Sequence, residues 1–247
     1  RGDNMAATPT ETQQTQTQTK QHQAIEQAAQ QAAAQTMEAA KVAMAQSVDE
    51  HIVALDVSEA DYMAHYAETH HERVQGVIYA MPPMHENHFF IMEYLGTLFK
   101  YYFRAKPIGK YRKDPFTMRL PSLDIQRQPD VQVILQGNPH ELKPTYMNGP
   151  ADICVEVISP GSIKRDRGDK FVEYEQAGVR EYWIIDAIRA EALFYRLTDQ
   201  GVYQQQALND ATEYETPLLP DFKLHVPTLW QSEQADPVED VRNMLAE

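Results

Sequence analysis

Residues 151–186 read ADICVEVISPGSIKRDRGDKFVEYEQAGVREYWIID, an apolar run, a charged segment and a second apolar run. DICVEVIS is rich in β-branched and apolar residues, as a buried strand is, and Glu156 stands in its middle. The segment carrying Lys170, Phe171, Tyr174 and Gln176 reads as a helix, and Gly178 supplies the residue at which helices commonly end. EYWIID then returns to strand, with ALFYRL as its neighbour in sequence.

Working outward, PDVQVIL at 129–135 is a further strand, opened by Pro129 and Asp130. HFFIMEYLGTLFKYY at 88–102 repeats apolar residues every three or four positions and predicts an amphipathic helix. In ERVQGVIYAMPP, Gly76 marks a turn between two short strands and Pro82-Pro83 ends the second. Ser58, followed by Glu59 and Asp61, predicts a capped helix start running toward His71. Helices alternating with strands give a mixed α/β (α+β) fold with one central mixed sheet flanked by helices.

Composition divides the chain. Residues 1–23 are a Gln/Thr tract too polar to offset its chain entropy, and residues 24–50, rich in Ala, Gln, Glu and Met, predict a helix with little to bury. Residues 1–50 are therefore an arm, expected disordered and then helical; 51–230 form a single domain, and 231–247 an acidic tail. The first residue is Arg, and Met5 is the expected natural start. No apolar run is long enough to span a bilayer, and the lone Cys154 cannot form an internal disulfide. A soluble, cytoplasmic protein without a membrane partner is expected.

Asp130 and Glu156 carry the chemistry. An ionised carboxylate within an apolar strand is costly unless it is paired, hydrogen-bonded or metal-bound. Mg²⁺ takes hard oxygen ligands, usually one or two carboxylates, and leaves its remaining positions to water and substrate phosphate. Asp130 capping a strand and Glu156 paired with a buried arginine would be the bland reading. The pair together, with the basic Lys170 downstream, points instead to a site for phosphodiester hydrolysis.

The series ERVQG, MPP with a nearby His, PDVQVI, ADICVEVISPGS, RDRGDKFVEYEQAGVREYWIID and PLLPDFKLHVP resembles the Uma-type family of "putative restriction endonucleases", within the PD-(D/E)XK nuclease superfamily. The likeness spans about residues 55–228. It implies a restriction-endonuclease-like core, Asp130 as the aspartate of the PD motif and Glu156 as the acidic residue of the (D/E)XK motif. Ile158 stands where that motif has lysine, and the resemblance implies that Lys170 in the following helix supplies it. Glu72 is similar to the glutamate before the family's first glycine turn. The implied activity is a Mg²⁺-dependent endodeoxyribonuclease, with Mn²⁺ as substitute. Asp130, Glu156 and Glu72 would contact metal, and Lys170 would position the attacking water. Gln176 and the Val157 carbonyl are further candidate contacts.

Charge complicates a nucleic-acid partner. The net charge is −14, although Lys100 to Arg127 holds eight basic and two acidic residues. Arg112, Lys113 and Arg127 in that segment, together with His88, are the expected substrate contacts, with DNA the expected partner. Cutting both strands implies a homodimer. His70, His71, Glu72, His85 and His88 offer a rival transition-metal cluster, without a zinc-ligand spacing. The alternative function is a non-catalytic nucleic-acid-binding or assembly protein that keeps the nuclease fold.

Overall fold

The computed structural model describes residues 51–159 and 162–246, together with Gln27. The expected arm at 1–50 lies outside these residues apart from Gln27. The chain divides into two units at Leu55/Asp56. The described part of the first contains a short strand, β1 (Ile52–Ala54). All that follows concerns the second.

Its elements, in chain order, are α1 (Glu59–His65), β2 (His71–Val74), β3 (Val77–Ala80), α2 (Glu86–Ala105), β4 (Gly109–Lys113), β5 (Thr117–Leu120), β6 (Ile125–Arg127), β7 (Val131–Leu135), β8 (Glu141–Leu142) and β9 (Tyr146–Asn148). Then come β10 (Ile153–Ile158), a π-helical turn Arg165–Asp169, α3 (Lys170–Ala177), β11 (Glu181–Asp186), β12 (Glu191–Leu197), β13 (Tyr203–Gln206), β14 (Glu213–Glu215), β15 (Lys223–His225), α4 (Val226–Leu229) and α5 (Pro237–Ala246). Ser58 caps α1 as its side chain predicts, accepting from the Asp61 N–H at 3.1 Å, but the helix stops at His65. Gly178 ends α3 in the left-handed region at φ +87°, and Gly76 turns β2 into β3 at φ +88°.

The strands sort into two large sheets and a β14–β15 ribbon, where the sequence suggested one sheet. The first sheet has the order β13-β12-β11-β10-β7-β4 and is antiparallel except for β10 and β11, which the α3 crossover makes parallel. The second runs β3-β2-β6-β5-β9-β8. The chain passes from the second to the first at Gln128-Pro129-Asp130, between β6 and β7. Proline has no N–H to give a ladder, so one continuous strand through this point is disfavoured.

Alternation along β10 then assigns its two faces. Val155 and Val157 pack with Ile91, Leu95, Phe99 and Trp183 in the core beneath α2. Cys154 and Ile158 pack with Tyr174 of α3 and with Met118 and Ile125 of the second sheet. Glu156 shares parity with Cys154 and Ile158, so it faces α3. The segment expected as an acidic tail contains α5, whose Val241 and Met244 are buried in the α2 core while Asp240 accepts from the Tyr94 hydroxyl at 2.9 Å. No helix among the described residues is long and apolar enough to cross a membrane.

Candidate active site

Asp130 and Glu156 meet because β7 and β10 are antiparallel neighbours. Their pairing puts Val155 opposite Val131, so Glu156 comes level with Asp130. The ladder stops there, and the Asp130 carboxylate takes over its next donor, accepting from Val157 N–H at 2.6 Å. From the facing helix, Lys170 and Tyr174 stand one turn apart and both reach Glu156. Lys170 Nζ lies 2.9 Å from Oε2, and the Tyr174 hydroxyl donates to Oε1 at 2.8 Å. Asp166, one turn earlier in the π-helical turn, is 3.6 Å from the same ammonium.

A cavity of about 260 Å³ opens onto this cluster. Asp114, Asp130, Glu156, Asp166, Ser159 and Ser162 form its polar side, and Met81, Pro82, Pro83 and Met84 its apolar side. His88 lines it from the first turn of α2, with Nε2 3.1 Å from Asp130 Oδ1. His70 lines it too, with Nδ1 2.9 Å from Asp114 Oδ2.

Electrostatically the cavity wall is short of positive charge. Burial pushes the Glu156 carboxyl well up, and Lys170 does not outweigh burial and the nearby Asp130 and Asp166. Burial likewise raises Asp166 against the pull of Lys170, and raises Asp114 to about 6 against the pull of His70. Glu72 behaves oppositely: burial opposes its charge, but Lys170 and Arg127 prevail and hold it down at about 2. Lys170, fully buried, stays charged because Glu156, Glu72 and Asp166 together outweigh its desolvation.

The structure brings Asp130, Glu156, Lys170 and His88 into one cluster. It places Glu72 and Lys170 behind the cavity wall. Both Glu72 oxygens are occupied, by Lys170 at 3.1 Å, Arg127 at 2.8 Å and the Gln128 N–H at 3.1 Å, so Glu72 supports the lysine and does not face the cavity. The Arg127 guanidinium, expected to contact substrate, is buried between Glu72 and Glu173 and does not line the cavity. Lys113 pairs with Glu93, and Arg112 lies over the Phe116 ring with Nη1 donating to its neighbour's carbonyl; neither lines the cavity. Gln176 points to solvent.

Asp114 and Tyr174 are additions to the set read from sequence, and Asp166 proves to line the cavity as well as pair with Lys170. The four-residue spacing Asp166, Lys170, Tyr174 was a usable signal for two of them; nothing local marks Asp114. The rival histidine cluster is dispersed, with His71 bonded to Thr69, His70 to Asp114 and His88 beside Asp130.

The donors fit a hard divalent cation. Asp130 and Glu156 offer oxygen only, and burial, with Asp130 and Asp166 close by, leaves the Glu156 carboxylate in need of a cation. Among the described residues no three His, Cys, Asp or Glu side chains converge as a ready ligand set.

Among solved structures the chain is similar to a "putative nuclease belonging to DUF820 from Anabaena variabilis ATCC 29413", with a TM-score of 0.60 and 15% identity over 71% of this chain and 98% of that one. At that identity the likeness bears on fold, a mixed α/β architecture. No curated protein matches. Residues 59–227, most of the described chain, match the Uma2 family, described as "Putative restriction endonuclease". The resemblance carried by PDVQVI and ADICVEVISP is thus one of descent, and the chain belongs to the Uma2 family.

Proposed function

We propose that this cavity is the active site of a metal-dependent endonuclease acting on DNA. The carrying observation is a wholly buried ammonium, Lys170, 2.9 Å from a strand carboxylate that shares a cavity with Asp130. Asp130 and Glu156 would hold Mg²⁺, or Mn²⁺ in its place. Such an ion, when bound, supplies Lewis-acid polarisation of a phosphoryl oxygen and a more acidic water.

The chain's own residues do the rest. Tyr174 fixes one Glu156 oxygen, and Lys170, backed by Glu72, fixes the other. Lys170 acts through Glu156 and Asp166, since it does not itself reach the cavity. Asp166 is placed to take the proton of the attacking water, its burial giving it more than usual proton affinity. His88 stands where it can donate to a phosphate oxygen beside Asp130.

Cleavage of supercoiled plasmid and of single-stranded DNA, with Mg²⁺ or Mn²⁺, tests the reading. Loss of cutting in Asp130→Ala, Glu156→Ala and Lys170→Ala supports it; equal cutting by all three overturns it. The homodimer that cutting both strands of a duplex would require is tested separately, by sedimentation of the full chain.

A further inference from the structure

We infer that the substrate is unpaired nucleic acid, one nucleobase entering the apolar half of the cavity while its phosphate meets the carboxylates. The inference rests on the nuclease reading and adds the substrate's form. Three observations carry it.

The first is shape. At about 260 Å³ the cavity is slightly smaller than the ~300–1,000 Å³ that holds a drug-sized molecule, so it suits one ring system. A stacked base pair cannot enter it; an unstacked base can.

The second is chemistry. Met81, Pro82, Pro83 and Met84 line the cavity together with the His70 and His88 rings, and such flat or polarizable surfaces take the face of any base. Met84 and Phe89 are about half-exposed, 46% and 49%, within one short segment at the start of α2.

The third is charge. Duplex binding is built from many Lys and Arg contacts to phosphate. Here the chain carries −14, and half of the basic residues from Lys100 to Arg127 are held in ion pairs: Lys106 pairs with Asp221, Lys113 with Glu93, Arg119 with Glu59 and Arg127 with Glu72. Stacking, which single strands offer and duplexes do not, adds to the affinity that so few cations supply.

The test uses the full chain with Mg²⁺ and one DNA sequence in three forms: single-stranded, blunt duplex, and duplex with one unpaired nucleotide. The expected result is cutting of the first and third at least tenfold faster than of the second. Equal or faster cutting of the blunt duplex overturns the inference and leaves the nuclease reading intact. Binding is measured separately in chelator, with 2-aminopurine in each form. Its fluorescence should rise on binding to unpaired strands as the base leaves its stack, and Met81→Trp, which fills the cavity, should abolish the rise. Met84→Ala, at an exposed position that leaves folding untouched, should weaken binding of the unpaired form several-fold. If nothing is cut, the nuclease reading fails; the fluorescence rise then still decides where the base sits, and its absence overturns the inference as well.

Discussion

Lys170 is the residue on which most of the buried charge depends. Its ammonium is the counter-charge for Glu156, Glu72 and Asp166, so Lys170→Met takes the ion-pair partner from Glu156 and Asp166 and leaves Glu72 with Arg127. Removing one partner of a buried ion pair typically costs about 3–5 kcal/mol, and urea denaturation at pH 7 should show a loss of that order. A deficit below 1 kcal/mol would mean the carboxylates are protonated in the native protein. Asp114 and Glu72 give opposite pH signatures. Glu72 is held at about 2, below its ordinary 4.5, so its contribution is complete above pH 4.5 and is lost as pH falls toward 2. Asp114 is raised to about 6 from 3.8, so native protein holds that proton more tightly than unfolded chain does, and stability falls as pH rises from about 4 to 6. Asp114→Asn should therefore leave stability at pH 4 unchanged and raise it at pH 7.5 by on the order of 2 kcal/mol. Denaturant midpoints at the two pH values check this; a loss at pH 7.5 would show that the His70 pair outweighs the burial.

At the scale of elements, α3 matters through where it stops and what it presents. Gly178 accepts the left-handed conformation that lets the chain leave α3 for β11, its N–H returning to Tyr174 and Glu175 carbonyls. Gly178→Ala should cost about 1–2 kcal/mol by thermal denaturation, with the helix start and Lys170 undisturbed. Loss of far-UV helix signal would instead mean that the cap is needed for α3 to form. This element was legible because its signals are local: apolar spacing, a C-terminal glycine, strands on either side. The same is true of α2, β10 and β11, and of the Asp130–Glu156 pair, whose oddity is a charge inside an apolar run. What was illegible is non-local. That β5 and β6 leave the sheet holding Glu156, that Arg127 turns inward to Glu72, and that Asp114 reaches the cavity all depend on strand partners far apart in the chain. Composition also hid how the C-terminus packs, because Val241, Met244 and the partly buried Leu245, which dock α5, are few among the acidic residues of the segment.

For the whole molecule, the acidic cavity couples folding to divalent cations. A ligand that binds only the native state stabilises it by about 2.7 kcal/mol at a hundredfold excess over its dissociation constant. In a chain of 247 residues that is a rise in Tm of about 5–10 °C. Mg²⁺ or Mn²⁺ should produce such a rise in the wild-type protein without any nucleic acid present. Asp130→Asn should remove it while leaving Tm in chelator no lower, since the substitution relieves repulsion among Asp130, Glu156 and Asp166 and keeps an oxygen for the Val157 N–H. Glu72→Gln separates two accounts of that residue. With Glu72 behind Lys170, the variant is destabilised in chelator yet keeps the metal-dependent rise; with Glu72 as a metal ligand, the rise is lost. Differential scanning fluorimetry of the three proteins, with and without metal, decides between them. A wild-type Tm indifferent to both ions would remove the divalent cation from the proposal altogether, because an ion that binds the folded cavity and not the unfolded chain cannot do so without stabilising the fold.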